Sequence, residues 1–249
     1  MAAYLSETLD VEVEYVPVTD YAASVTLFGA GDLDMVFYGG LTGVQARLQT
    51  PGATLLGQRD IDVEFRSVFI ANADAGVELV EEVAGLDAYA GKRFTFGSES
   101  STSGRLMPEY FLDQAGLDST LDLAGEPGYS GSHDATVDLV EAGSYDGGAL
   151  NLQVWEARKE AGTVDLERVV EVFITPTYAD YHWLSGPDLD ERMGEGFTEE
   201  LRDALLALDG STPEEEAVLE GYGADRIVPT EAGNYDEIEE IGRKLGLVS

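Results

Sequence analysis

The chain has 249 residues, enough for two lobes or one large domain, and a formal net charge of −35 from 49 acidic and 14 basic side chains. The absence of cysteine excludes disulfides, zinc–thiolate sites and thiol nucleophiles, and two histidines are too few for most zinc sites. No basic patch is available to neutralise phosphates, so we expect no nucleic-acid partner.

The acidic excess has three possible meanings: a basic partner, a disordered acidic tail, or adaptation to strong salt. The acids are scattered over every segment and mixed with ordinary apolar periodicity, which argues against a tail. Only Lys92, Lys159 and Lys244 are lysines. We interpret this composition as that of a halophile, because high salt screens self-repulsion.

Strands and helices alternate along the chain, which predicts an α/β architecture with mostly parallel sheets. Met1–Asp10 has the pattern of a helix end, so we expect an export signal and a first strand upstream. No apolar run approaches the length of a membrane span. The predicted strands are 11–16, 34–38, 54–58, 65–71, 92–96, 149–152 and 169–174. The predicted helices are 20–30, 41–48, 104–115, 133–142 and 154–161, with a mainly helical segment from 199 onward.

A weak internal repeat predicts two similar lobes. In each copy a hydroxyl residue, Thr19 or Ser132, caps a helix that ends at a glycine, with Asp34 or Asp146 three residues later. We place one lobe at residues 1–72 and 177–249 and the other at 73–176, joined by a two-segment hinge.

The strongest local signal for a site is the hydroxyl-rich turn between strand 92–96 and the following helix. Ser100, Ser101, Thr102 and Ser103 supply four hydroxyls in a row, where a plain helix cap needs one. Such a turn aims backbone N–H groups, hydroxyls and a helix dipole at one point, which favours an anion. Pro108 lies past the first turn and should kink the helix or shift its start.

Other candidate ligands stand at helix starts and strand ends. His133 opens a helix, where a neutral ring can meet a protonated ligand oxygen and a charged ring an oxyanion. Tyr21 begins a helix and Tyr38 ends a strand, on the sheet edge where ligands bind. The alternatives are a surface cap for His133 and core packing for the tyrosines.

Several motifs are absent or weak. The sequence has no nucleotide- or phosphate-loop motif and no nucleophile elbow, so we expect no cofactor and no catalytic residues. Asp60–Glu64 alternates as metal ligands do but lacks the glycine of a calcium loop, so we interpret it as an exposed strand face or its lead-in and predict no metal.

These residues together resemble the substrate-binding proteins of phosphate and phosphonate ABC importers, over essentially the whole chain. The matching segments are 19–23, 31–34 with 37–39, 65–69, 86–94, 101–104 with Pro108, 131–134 and 143–146. The resemblance implies a type-II periplasmic binding fold whose lobes close on a ligand.

The family's Ser-Thr-Ser turn, which holds the phosphonate oxygens, matches Ser101, Thr102 and Ser103. Its histidine matches His133, and its tyrosine after aspartate matches Tyr21.

Three further positions differ from aminoalkylphosphonate binders. Phe65 replaces a tyrosine, and Gln153 and Tyr181 stand where two carboxylates would hold an ammonium. A ligand without an amine is therefore favoured. The segment Thr175–Trp183 is similar to a phosphite- or selenate-type subgroup, and we include Tyr181 among the ligand-binding candidates.

The resemblance implies an extracytoplasmic, monomeric, non-enzymatic protein, lipid-anchored through an upstream segment, that delivers a phosphonate, phosphite or phosphate to a membrane permease. Two alternatives remain: a sensing domain for a related oxyanion such as selenate, and an enzyme on the same fold, for which His133 is the candidate base.

Overall fold

The structure is a computed structural model that describes residues 1–18 and 20–248. The chain packs into two compact units: unit 1 contains residues 1–65 and 178–249, and unit 2 contains residues 66–177. The predicted division after residue 72 is wrong, because strand Ser67–Asn72 pairs within the sheet of unit 2.

Unit 1 begins with a short helix, and a strand–helix–strand segment follows after a second helix. The elements are α1 (Ala2–Leu9), α2 (Tyr21–Ala30), β1 (Met35–Tyr38), α3 (Gly40–Gln49), β2 (Thr54–Arg59) and a 3-10 turn, Asp60–Glu64. The carboxylate of Asp20 caps α2 by accepting from the Ala23 N–H at 2.7 Å. The predicted cap Thr19 lies outside the described residues.

The predicted strand at 11–16 is wrong. Residues 12–18 have no regular structure, and Tyr15 and Val16 are 77% and 48% exposed. Alternating Val and Glu mark two faces, but a strand also needs a hydrogen-bonding neighbour. This segment has no such neighbour in residues 1–18 and 20–248.

Unit 2 is the middle of the chain. Its elements are β3 (Ser67–Asn72), β4 (Phe94–Phe96), α4 (Met107–Gln114), β5 (Gly128–Tyr129), α5 (His133–Glu141), β6 (Gly147–Asn151), α6 (Leu152–Glu160) and β7 (Val169–Ile174), with 3-10 turns at Ala73–Ala75 and Val83–Tyr89 and a π-helix at Thr102–Leu106. Pro108 stands in the first turn of α4, and the π-helix fills the place of the predicted helix start. The shift expected from Pro108 is therefore confirmed.

The chain then completes unit 1, mainly with helices as predicted. The elements are β8 (His182–Ser185), α7 (Leu189–Met193), α8 (Phe197–Leu206), α9 (Pro213–Tyr222), β9 (Ile227–Val228), a 3-10 turn at Ala232–Tyr235, and α10 (Asp236–Lys244). In the described part of the chain, each helix is too short or too polar to cross a membrane.

The α/β architecture is confirmed, but mostly parallel sheets are not. The sheet of unit 1 has the order β1-β8-β2-β9 and is antiparallel throughout. The sheet of unit 2 has the order β5-β4-β6-β3-β7, and its β4 pairs are parallel while its β3 pairs are antiparallel. Strand β3 begins just after the chain enters unit 2, and β7 ends just before the chain leaves it. These two neighbouring strands therefore run in opposite directions.

The central strand β8 is buried on both faces. Trp183 packs with Leu56 and Leu205 in one core, and Leu184 packs with Phe28 in a second core. Burial on both faces removes the polar alternation that marks a half-buried strand, which explains why the sequence pattern did not predict β8.

Asp60–Glu64 is not an exposed strand face, but it does precede a strand, β3, as the lead-in interpretation expects. The segment is a 3-10 turn, and Asp62 is fully buried in an ion pair with Arg59. In residues 1–18 and 20–248, no cluster of three or more His, Cys, Asp or Glu side chains could hold a metal ion.

The fold also predicts a pH dependence. His182 is buried, and burial lowers its pKa to about 4, so the unfolded chain binds a proton first as pH falls. The free energy of unfolding should therefore decline between about pH 6.5 and pH 4, by up to about 1.4 kcal/mol per pH unit from this residue. Urea titrations at several pH values measure the free energy of unfolding. In His182→Asn, its slope against pH should be smaller by about 1.4 kcal/mol per pH unit, the contribution of one proton. An unchanged slope would contradict the lowered pKa of His182.

Candidate functional site

In unit 2 the hydroxyl-rich turn connects β4 to the π-helix. Ser101, Thr102 and Ser103 are all buried, at 1–3% exposure. The Ser101 hydroxyl accepts from the Gly104 N–H at 2.9 Å and so caps the π-helix. The hydroxyl oxygen of Ser103 is enclosed and has no hydrogen-bond partner in the described part of the chain. A buried hydroxyl without a partner is costly, and an added ligand would supply one.

Glycines make the turn tight. The Gly97 N–H donates to the Gly104 carbonyl at 2.7 Å, and a Cβ on Gly97 would lie 3.3 Å from the Gly104 Cα. The backbones can approach this closely because neither residue has a side chain. A π-helix at such a point is a frequent feature of functional sites. The hydroxyls of this turn are evident in the sequence, whereas the close approach of the two glycines is not, because Gly97 and Gly104 are seven residues apart.

His133 lies beside the same turn. A Cβ on Gly104 would lie 3.2 Å from His133 Cε1 and 2.9 Å from Ser101 Oγ. The ring's Nδ1 accepts from the Asn151 N–H at 3.3 Å, which assigns the ring proton to Nε2. Nε2 is enclosed and has no partner within the described residues.

The imidazole is neutral near pH 7. Burial lowers the pKa of His133 to about 4, and the nearby Asp134 only partly opposes that shift. His133 therefore offers an uncharged Nε2–H donor, and its ring lies beside Gly104, the residue that follows Ser103. The cap of α5 is Ser132, which accepts from the Ala135 N–H at 3.2 Å, so His133 is not itself the cap.

In unit 1 two predicted tyrosines come together. A hydrogen bond joins the hydroxyls of Tyr21 and Tyr181. Burial, with the Asp180 carboxylate adding to it, raises the pKa of both, so both phenols stay protonated. Tyr181 donates to Tyr21, and the proton of Tyr21 can be donated to a ligand. The ring of Phe65 is buried and lies 5.6 Å from that of Tyr181.

Tyr38 is a correction to the predicted ligand set. It is 2% exposed, and its hydroxyl donates to the Ser24 carbonyl at 2.8 Å. Its ring packs edge-on against Phe28 at 5.8 Å. Tyr38 is thus a core residue whose proton is already used, and it is removed from the candidate site.

Asp180 lies near Tyr21 and Tyr181, and we call these three residues the tyrosine cluster. Asp180 is fully buried, and its Oδ1 accepts from the Gly40 N–H at 2.8 Å, at the first residue of α3. A negative charge is favourable at a helix start. The aspartate directly before Tyr181 was the available signal, but an isolated aspartate in a sequence does not reveal burial.

In each unit taken separately, the nearby arginine is already paired with a carboxylate. Arg105, in the π-helix, pairs with Glu109 at 3.2 Å, and Arg59 pairs with Asp62 at 2.6 Å. Neutral donors at helix starts can nevertheless hold an anion through short hydrogen bonds. This combination is typical of a protein that binds an anionic ligand reversibly.

A model of the periplasmic substrate-binding protein of phosphonate ABC transporters matches residues 1–235. The chain belongs to this family, and its two α/β units have the type-II periplasmic binding fold.

Among the relatives, a probable ABC transporter phosphite binding protein, PhnD1 of Prochlorococcus marinus, is 49% identical over 98% of this chain and 82% of its own length. The solved structure of that organism's PhnD1 in complex with methylphosphonate has a TM-score of 0.95, covering 99% of this chain and 91% of the other. A phosphate-import protein, PhnD of Mycolicibacterium smegmatis, is 23% identical over 92% of this chain and 74% of its own length.

Proposed function

We propose that this protein captures a small tetrahedral oxyanion of the phosphite and phosphonate class for an ABC importer. The observation that carries the proposal is the pair of enclosed donors in unit 2, Ser103 Oγ and His133 Nε2, which have no partner within the described residues. Ser103 is part of the turn Ser101–Gly104 that opens a helix, and the His133 ring lies beside Gly104. An oxyanion satisfies both donors at once.

The relatives support this choice of ligand. PhnD1 of Prochlorococcus marinus is a probable phosphite binding protein by its name, and its structure was solved with methylphosphonate. Two residues of this chain restrict the choice of ligand further. Gln153 and Tyr181 occupy the positions at which aminoalkylphosphonate binders of this family have the carboxylates that hold an ammonium. A ligand without an amine fits these side chains.

The tyrosine cluster of unit 1 supports a ligand that carries a proton or an apolar substituent. Tyr21, which accepts from Tyr181, can donate to a ligand, whereas the carboxylate of Asp180 can only accept. A carboxylate repels a fully deprotonated anion but accepts from a ligand hydroxyl. We propose that the tyrosine cluster binds such a ligand, and that singly charged phosphite and methylphosphonate are preferred over sulfate.

We propose that the protein is not an enzyme. His133 is the candidate base, but its Nδ1 accepts from a backbone N–H, so Nε2 carries the proton and cannot take another. Binding without turnover agrees with an extracytoplasmic carrier that delivers its ligand to a membrane permease. We further propose that it acts as a monomer and without nucleic acid.

The proposal is tested by calorimetric titration of the full chain with phosphite, methylphosphonate, phosphate, sulfate and selenate, followed by analysis of the recovered ligands. We expect phosphite or methylphosphonate to bind at least about tenfold more tightly than sulfate, since each mispaired polar contact costs about 1–3 kcal/mol. Absence of binding to any member, or chemical change of a recovered ligand, would contradict the proposed function.

A further inference from the structure

A buried ion pair lies behind Tyr181 in unit 1. Arg59 is 7% exposed and Asp62 is fully buried. Arg59 Nε donates to Asp62 Oδ2 at 2.7 Å, and a second guanidinium nitrogen donates to Oδ1 at 2.6 Å. A third nitrogen donates to the Tyr222 carbonyl at 2.6 Å. This bidentate arrangement fixes the plane of the guanidinium.

The guanidinium is surrounded by aromatic rings. Its carbon lies 5.0 Å from the ring centre of Tyr181, 5.3 Å from that of Phe37 and 5.9 Å from that of Phe65. Phe37 and Tyr181 are stacked, with centres 5.2 Å apart and an interplanar angle of 23°. Each distance is within the range of a cation–π interaction.

Asp62 also ties the pair to the backbone next to the ligand candidates. Its carboxylate accepts from the backbone N–H of Tyr181, and its carbonyl accepts from the Asp180 N–H at 3.1 Å. The ion pair is therefore bonded to two consecutive residues of the tyrosine cluster. A movement of Arg59 or Asp62 would be transmitted to both.

Stability alone is a weak explanation for this arrangement. Desolvation of two charges offsets much of their attraction, and well-packed apolar side chains are often as stable. Burial is the main cause that raises the pKa of Asp62, and the bonds from Arg59 act against it. A role in the site accounts for keeping a charged pair under the rings.

We propose that Arg59 and Asp62 are positioning residues that strengthen the hydrogen bond from the Tyr181 hydroxyl to the Tyr21 hydroxyl, and through it the hydrogen bond from Tyr21 to the bound oxyanion. A cation against the face of a phenol withdraws electron density, which makes the hydroxyl a better donor. The proposal rests on the proposed function and deepens it: it gives an anion site a source of positive charge that does not touch the ligand.

The direction of the electrostatic effect agrees with this role. Burial raises the pKa of Tyr181 well above its usual value, and the positive charge of Arg59 acts in the opposite sense. Tyr181 thus stays protonated while its proton is made more available. Asp62 holds the guanidinium in place through two hydrogen bonds and balances its positive charge.

The test is a double-mutant cycle on the full chain with methylphosphonate as the probe. Arg59→Met is expected to weaken binding about tenfold when Tyr181 is present and less than about twofold in a Tyr181→Phe background. Arg59→Lys, whose ammonium lacks the rigid fork, is expected to weaken it about threefold, again only when Tyr181 is present. Displacement titration extends the measurement to weak variants.

Arg202→Met is the matched control. Arg202 also pairs with a carboxylate, Glu199 at 2.7 Å, and donates to a carbonyl, Leu55 at 2.9 Å. Its loss should leave affinity within about twofold of the parent. A merely structural role for Arg59 would lower the melting temperature without any coupling to Tyr181.

Three results would overturn the inference: no effect of Tyr181→Phe, no effect of the Arg59 variants, or equal effects of those variants in both backgrounds. If Arg59→Met does not fold, the Arg59→Lys cycle decides alone, and additive losses reject the role. If the unsubstituted chain binds neither methylphosphonate nor phosphite, the proposed function itself fails and this inference with it.

Discussion

Replacing His133 with alanine is expected to weaken methylphosphonate binding by about one to two orders of magnitude. The change removes an enclosed Nε2–H donor, and hydrogen bonds to charged groups contribute about 1.5–3 kcal/mol each. Ser103→Ala should weaken binding about tenfold for the same reason. Isothermal titration of the purified variants measures both effects.

Ser130→Ala provides the control within the same unit. The Ser130 hydroxyl already bonds to the Ser132 carbonyl at 2.8 Å and to the Thr136 hydroxyl at 2.7 Å, so it has no need of a ligand. Its loss should leave affinity within about twofold. If His133→Ala and Ser103→Ala bind as tightly as Ser130→Ala, the turn is an ordinary helix cap and the assigned site is wrong.

The second large effect concerns salt and stability. A net charge of −35 destabilises the folded state through self-repulsion, which is screened as ionic strength rises. We expect the melting temperature to rise by roughly 10 °C or more between about 0.05 M and 2 M KCl. Circular dichroism across a salt series measures this rise.

A charge-reduced variant separates screening from general salt effects. Glu12, Glu14, Glu220 and Glu240 are exposed or half-buried, and no ion pair involves them in the described part of the chain. Replacing all four with glutamine changes the net charge from −35 to −35 + 4 = −31. The variant should melt higher at low salt and respond less to KCl. Equal salt responses, or a flat response in the parent, would reject the halophile interpretation.

Local sequence signals predicted the parts of the fold that depend on local chemistry. The glycine Gly31, with φ 79°, ends α2, and the hydroxyl of Ser132 caps α5, as their residue types indicate. Strand direction was not predictable, because it depends on where the chain passes between units. The segment at 11–16 shows that alternation predicts two faces but not a pairing partner.

The residues of the candidate site likewise fall into those that the sequence could predict and those that it could not. Ser103 and His133 were predictable because hydroxyls and a histidine at helix starts are visible in the sequence. Tyr38 was not separable from a binding tyrosine, because its partner is a carbonyl fourteen residues away that only the packing brings near. Arg59 and Asp62 were missed because three-residue spacing is common on surfaces, and their burial depends on rings from distant segments.

The most direct test of the account is the salt dependence of affinity. The central claim is that neutral, short-range donors hold the oxyanion, so binding should not depend on a screened, long-range attraction. Titration of the full chain with methylphosphonate is carried out at several KCl concentrations over the range in which it stays folded. The account predicts a dissociation constant that changes less than about threefold over that range. A steep loss of affinity with rising salt would show that a long-range attraction to cationic side chains, which salt screens, contributes to binding. That result would contradict the account.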